Sequence, residues 1–150
     1  MGIAALVAWL ITAAGGFVML GRWISRGGMR QQRSGETRFP AGLVFSHFGL
    51  AAAGLVIWIA YLVVELDRLA WTAFALTIAV ALLGFAMLFR WIPVYRGGTV
   101  AAGPGPGASA PAGSVPAERH LPVSIVIGHG VFAVVTVVLV LLAALGIGGS

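Results

Sequence analysis

The segment Ala41–Val64, AGLVFSHFGLAAAGLVIWIAYLVV, decides the fold class of this chain. It is apolar almost throughout and contains no Asp, Glu, Lys or Arg. A helix needs about 20 such residues to cross the roughly 30 Å hydrocarbon layer of a bilayer. Because a helix satisfies its own backbone hydrogen bonds, the segment predicts a helix that spans a membrane.

Three further apolar segments have the same character, at about residues 2–23, 69–89 and 121–147. Hydrophobic residues make up 60% of the 150 residues and charged residues only 9%. A soluble domain of this size could not bury so much apolar surface. We therefore predict an all-α integral membrane protein, an up-down-up-down four-helix bundle that forms a single domain over residues 1–150.

The arginines predict the orientation of this bundle. The chain has no lysine, and eight of its nine basic residues lie in the loops after spans one and three: Arg22, Arg26, Arg30, Arg33, Arg38, Arg90, Arg96 and Arg119. Only Arg68 lies in the turn between spans two and three. Since arginine-rich loops stay in the cytoplasm, both long loops are expected inside and both termini outside a bacterial inner membrane. Because the arginines lie at the ends of apolar segments, the net charge of +5 indicates a lipid bilayer as partner and no nucleic acid.

The second long loop, at about residues 97–119, contains GGTVAAGPGPGASAPAGSVPAE. Such a Pro-, Gly-, Ala- and Ser-rich sequence cannot bury enough apolar surface to offset the entropy lost on ordering. We interpret it as a flexible cytoplasmic connector rather than a domain.

Two histidines are the distinctive polar side chains at membrane depth. His47 lies about six residues into span two and His129 about eight residues into span four, so both are expected roughly 9–12 Å below the cytoplasmic boundary. Spans two and four share a diagonal of the predicted bundle, about 11–14 Å long. That distance leaves room for imidazole, iron and imidazole in line. His120 lies at the boundary and is expected to be a plain interfacial residue.

The rest of the composition narrows the chemistry. No Asp or Glu lies well inside any span, which argues against proton-coupled transport. The absence of cysteine excludes Fe–S ligation and Cys-zinc sites. A bare zinc or copper ion would need three or four protein ligands, whereas a haem iron needs only two axial histidines.

Small residues near the histidines would leave room for a flat macrocycle. Gly128 and Gly130 flank His129, and Gly49 follows His47 by two residues. Spans one and three carry small residues at the same level, namely Ala14, Gly15, Gly16, Ala81 and Gly84. Each imidazole is expected to donate its second N–H to a helix carbonyl, such as that of Leu43 or Ile125. The alternative is that the glycines only allow close helix packing and the histidines only bond across helices.

Two segments, FSHFGLAAAGLVIWIAYLV and ERHLPVSIVIGHGVFAVVTVVLVLLAALG, resemble parts of small uncharacterised four-span membrane proteins of high-GC bacteria. The paired histidines also resemble those of membrane-bound b-type cytochromes, whose four-helix cores hold haem between histidines on two helices. That resemblance implies haem b with His47 and His129 as iron ligands. The chain departs from the commoner cytochromes of this kind because it has one such pair at membrane depth.

The leading hypothesis is a membrane-embedded haem-b-binding protein or electron-transfer subunit with bis-histidine ligation. Its cofactor site would comprise His47, His129, Gly49, Gly128 and Gly130, with the two histidines as metal ligands and no catalytic residue. Two alternatives stay open. One is a non-enzymatic structural or accessory subunit of a membrane complex, and the other is a small-molecule or quinone-binding membrane protein.

Overall fold

The computed structural model describes residues 1–100 and 115–147, and these residues form helices and no strand. The α-helices are α1 (Gly2–Ser25), α2 (Gly28–Ser34), α3 (Ala41–Val64), α4 (Asp67–Val100) and α5 (Val123–Ala144), with a 3-10 turn at Ala117–His120. All but the short α2 are long and apolar enough to cross a membrane. The expectation of an all-α membrane protein is confirmed.

The observed helix ends differ modestly from the predicted spans. Helix α4 continues well past residue 89, and at about 1.5 Å per residue its 34 residues extend about 50 Å, more than the hydrocarbon layer requires. Helix α5 begins after Pro122, which precedes it in an extended conformation just as Pro40 precedes α3. Most of the connector predicted at about 97–119 lies outside the described residues, but Ala117–His120 at its end forms the 3-10 turn.

The four long helices pack in a ring. Helix α1 packs along α5 and α3 along α4, while contacts between α1 and α3 and between α4 and α5 close the ring. Because successive spans are neighbours and run in opposite directions, the fold is an up-down-up-down four-helix bundle. Helices α3 and α5 therefore lie on one diagonal, as the sequence predicted.

Two clusters of buried residues hold the bundle together, one near each end. The cluster near the chain termini, here the distal cluster, consists of Ala5, Trp9, Trp58, Ala70, Ala73, Val140 and Ala143. The other lies at the end where the arginine-bearing loops meet, here the arginine-rich end, and consists of Trp23, Phe39, Trp91, Ala117 and Leu121. Burial of large side chains such as Trp23 and Trp58 is the main packing contribution at each end.

A buried carboxylate joins the two loops at the arginine-rich end. Glu118 is fully buried and accepts hydrogen bonds from the Thr37 hydroxyl (2.8 Å) and the Arg38 backbone N–H (2.6 Å). The Trp91 indole N–H donates to the Glu118 carbonyl oxygen at 3.1 Å. Gln31 adds a second link, since its side chain donates to the Val115 carbonyl and accepts from the Ala117 N–H. The end of the predicted flexible connector is thus bonded to the first loop.

Candidate functional site

His47 of α3 and His129 of α5 meet across the bundle axis. Their ring centroids are 6.3 Å apart and their planes are tilted by 51°. Both side chains are half-buried. The diagonal placement of α3 and α5 and the matched depth of the two histidines bring these rings together.

Each imidazole is anchored to the backbone of the helix beside it. Nδ1 of His47 lies 3.0 Å from the Val80 carbonyl oxygen of α4, and Nδ1 of His129 lies 2.8 Å from the Thr12 carbonyl oxygen of α1. A carbonyl oxygen can only accept, so Nδ1 carries the proton in both rings. In the neutral imidazole, Nε2 then keeps a free lone pair that can bind a metal.

The expected anchors, the carbonyls of Leu43 and Ile125, were wrong. Both lie on the histidines' own helices, whereas each ring projects away from its helix towards the neighbour. The neighbouring carbonyl is reachable because the residue one turn further along that helix is glycine. No side chain covers the Val80 carbonyl at Gly84, or the Thr12 carbonyl at Gly16.

These glycines pack directly on the imidazoles. A Cβ atom at Gly84 would lie 3.3 Å from Cε1 of His47, and one at Gly16 would lie 3.3 Å from Cε1 of His129. Gly15 packs on His129 as well, where a Cβ atom would lie 3.5 Å from the histidine Cβ. At Gly16 and Gly84 a side chain would displace the ring, so the contact with the histidine favours glycine at both positions.

The three glycines predicted beside the histidines have different surroundings. A Cβ atom at Gly49, Gly128 or Gly130 would meet no atom within 4 Å. Gly49 and Gly130 are exposed on α3 and α5. They do not mediate a close helix contact, and their role in cofactor binding stays a prediction.

The level of the histidines differs in burial from the two ends of the bundle. No residue is buried over residues 10–22 of α1, 40–53 spanning the start of α3, 78–90 of α4 or 122–135 spanning the start of α5, all of which the structure describes. Side chains that face the axis of a four-helix bundle are ordinarily buried. We call this stretch of the bundle the central band, and the two histidines lie in it.

Threonines lie at the distal edge of the central band. The Thr12 and Thr136 hydroxyl oxygens are 3.4 Å apart, and each hydroxyl also contacts the carbonyl four residues earlier in its own helix. Thr77 is buried and donates to the Ala73 carbonyl in the same way. The backbone carbonyl of Thr12, and not its hydroxyl, is the group that His129 contacts.

Among the described residues, no group of three or more His, Asp or Glu side chains could hold a metal ion. His120 lies in the 3-10 turn, apart from the histidine pair. Two imidazoles are therefore the protein ligands that this site offers.

Sequence reasoning missed the backbone carbonyls of Thr12 and Val80 as partners of the histidines. The signal that marks them is a shared Gly-Phe-x-Met-Leu segment, which begins at Gly16 in α1 and at Gly84 in α4. In each helix the anchoring carbonyl belongs to the residue four positions before this glycine.

The fold and the two histidines together define a helical membrane protein with a paired-histidine centre. Comparisons with family models, curated proteins and solved structures found no match to the chain.

Proposed function

We propose that this chain is a membrane-embedded haem-b-binding protein, an electron-transfer subunit in which His47 and His129 are the axial ligands. The separation of the two rings carries the proposal. An imidazole nitrogen lies about 1.1 Å from its ring centroid and binds a first-row metal at about 2 Å, so two axial imidazoles place their centroids about 6 Å apart. The observed separation is 6.3 Å.

The donor set favours a porphyrin over a bare ion. Two imidazoles leave a bare zinc or copper ion short of protein ligands, whereas a porphyrin supplies the remaining ligands itself. In the central band, Gly16 and Gly84 keep the neighbouring helices free of side chains beside the rings. When bound, haem iron would supply one-electron redox chemistry.

The chain's own groups would prepare the site. The Nδ1–H bonds to the Val80 and Thr12 carbonyls hold both rings in orientation and increase the basicity of Nε2. The distal cluster and the cluster at the arginine-rich end lie on either side of the central band.

The distribution of arginine supports a bacterial inner-membrane location with the arginine-rich end in the cytoplasm. His47 lies near the start of α3, and the helix then continues to Val64 at the other end. The site would lie closer to the cytoplasmic side, and both chain termini would face outwards. Electron exchange would therefore take place with a partner on the cytoplasmic side or with another membrane subunit.

The test is an absorption spectrum of the full chain purified after expression with ample haem. We expect a Soret band that sharpens and shifts on reduction, with one haem per chain. His47→Ala and His129→Ala should each abolish that spectrum, while His120→Ala, a histidine outside the pair, should retain it. A folded but colourless chain, or an unchanged spectrum in both variants of the pair, would overturn the proposal.

The second candidate function is binding of a quinol. It is favoured by the Nε2 lone pairs, which can accept a hydrogen bond from a phenolic hydroxyl within the apolar bundle. Lipid extraction and mass spectrometry of the same preparation distinguish the candidates, because a colourless protein that retains quinone supports this one. A colourless protein that retains no quinone and co-purifies in a larger assembly supports a structural subunit.

A further inference from the structure

Each half of the chain carries the same two sequence segments. In the first segment, GFVMLGRWI (residues 16–24) matches GFAMLFRWI (residues 84–92) at seven of nine positions. In the second, ETRFPAGLVFSH (residues 36–47) matches ERHLPVSIVIGH (residues 118–129) at four of twelve positions, which include the histidine and the proline. Helix α1 thus corresponds to α4, and α3 to α5.

The contacts around the two histidines obey the same correspondence. His47 bonds to the Val80 carbonyl at 3.0 Å, and its counterpart His129 bonds to the carbonyl of Thr12, the counterpart of Val80, at 2.8 Å. The Cβ-to-Cε1 distance is 3.3 Å at both Gly84 and Gly16. Packing of α3 on α4 corresponds to packing of α5 on α1.

Burial extends the correspondence to regions where the sequences differ. Ala5 and its counterpart Ala73 are both 0% exposed, as are Trp58 and its counterpart Val140. At the other end, the buried residues pair as Trp23 with Trp91 and Phe39 with Leu121. The whole membrane region therefore has an approximate two-fold axis that runs along the bundle.

We infer that the chain is two copies of one helix hairpin, and that its ligand site lies on their approximate two-fold axis and presents similar surfaces to both faces of a planar ligand. The identity of that ligand as haem rests on the proposed function. The two faces of haem b differ only in the order of methyl and vinyl groups along its edge. A site of this symmetry binds haem b in both orientations, related by a half-turn about the axis.

The symmetry is approximate, since Gly15, Thr12 and Thr136 correspond to Leu83, Val80 and Gly54, and one further asymmetric contact beside His47 offers a matched variant. Phe48 follows His47 and packs edge-on against Phe17, with ring centroids 5.5 Å apart. Its counterpart after His129 is Gly130, while Phe17 corresponds to Phe85. Phe48→Gly makes the two halves alike at this position, so it should bring the two haem orientations closer to equal population.

The experiment is proton NMR of the ferric haem complex of the full chain. We expect two sets of shifted haem methyl resonances with populations within about threefold of each other, and a ratio nearer one in Phe48→Gly. A haem with methyl groups in place of both vinyl groups is truly two-fold symmetric and should give one set. Because the two halves differ at positions such as Phe48 and Gly130, each orientation of haem b should give its own set. A single set would show one preferred orientation and overturn the symmetric site while leaving haem binding intact.

The empty chain gives a second measurement that does not depend on haem. Nitrogen NMR of histidine-labelled protein should show both membrane histidines protonated at Nδ1, with His120 assigned from His120→Ala. If the chain takes up no haem but both tautomers match, the haem proposal fails and the two-fold site stands. Different tautomers at His47 and His129 would overturn the two-fold site.

Discussion

At the scale of single residues, the contact between a glycine and an imidazole organises the site. A carbonyl inside a helix already accepts one backbone hydrogen bond, and the side chain one turn later ordinarily covers its second lone pair. Gly16 and Gly84 leave that lone pair accessible to His129 and His47. The pair of glycines thus fixes both the ring orientation and the nitrogen that remains free.

Gly16→Leu and Gly84→Leu should each displace the adjacent imidazole and reduce haem binding at least tenfold. The added side chain would begin 3.3 Å from Cε1 and continue into the ring. Gly21→Leu is the matched control in α1, because a Cβ atom there meets nothing within 4 Å. Haem absorbance per folded chain is the measurement, and equal haem content in Gly16→Leu and Gly21→Leu would contradict the expectation.

The position of the histidines was predictable, but their partners were not. Apolar length and loop order fix which spans are diagonal and how deep His47 and His129 lie. The rotation of each helix about its axis depends on packing against neighbours, and low amphipathicity of α3 and α5 gives little sequence signal for it. The roles of the Val80 and Thr12 carbonyls follow from that rotation, so the sequence pointed instead to Leu43 and Ile125.

At the scale of elements, the arginine-rich end depends on a link between two loops. Glu118 is acidic, yet it is fully buried because the Thr37 hydroxyl and the Arg38 N–H satisfy its oxygens. Composition alone assigned Glu118 to a flexible connector, since a Pro- and Gly-rich context conceals a tertiary contact. The starts of α3 and α5, by contrast, follow Pro40 and Pro122 and were predicted within a few residues, whereas the end of α4 was predicted about one to three turns too early.

Glu118→Ala should lower the free energy of unfolding by about 2–6 kcal/mol, because two donors lose their acceptor and each costs about 1–3 kcal/mol. Glu36→Ala is the matched control, as Glu36 is the repeat counterpart and its carboxylate accepts an exposed hydrogen bond from Ser34. The control should change stability by less than about 0.5 kcal/mol. Denaturant titration in detergent measures both, and equal effects would show that the link does not stabilise this end.

At the scale of the whole molecule, charge and apolar surface have separate roles. Large apolar side chains such as Val56 and Leu82 are exposed along the long helices, which suits a lipid environment. Most of the arginines lie at one end of the bundle, although its membrane-spanning helices are related by an approximate two-fold axis along its length. A two-fold axis along the bundle does not exchange its two ends. Both copies of the hairpin therefore place their arginines at the same end, and the protein can keep one orientation in the membrane.

This orientation can be tested with single cysteines, because the native chain contains none. Ser34→Cys places a thiol on exposed α2 at the arginine-rich end, and Leu66→Cys places one in the exposed turn between α3 and α4. A membrane-impermeant maleimide added to intact spheroplasts should label Leu66→Cys and spare Ser34→Cys until the membrane is opened. The positive-inside distribution requires this order, since moving the arginine-bearing loops outwards would oppose it. The reverse labelling order would place the histidine pair nearer the outer face and move electron exchange to that side.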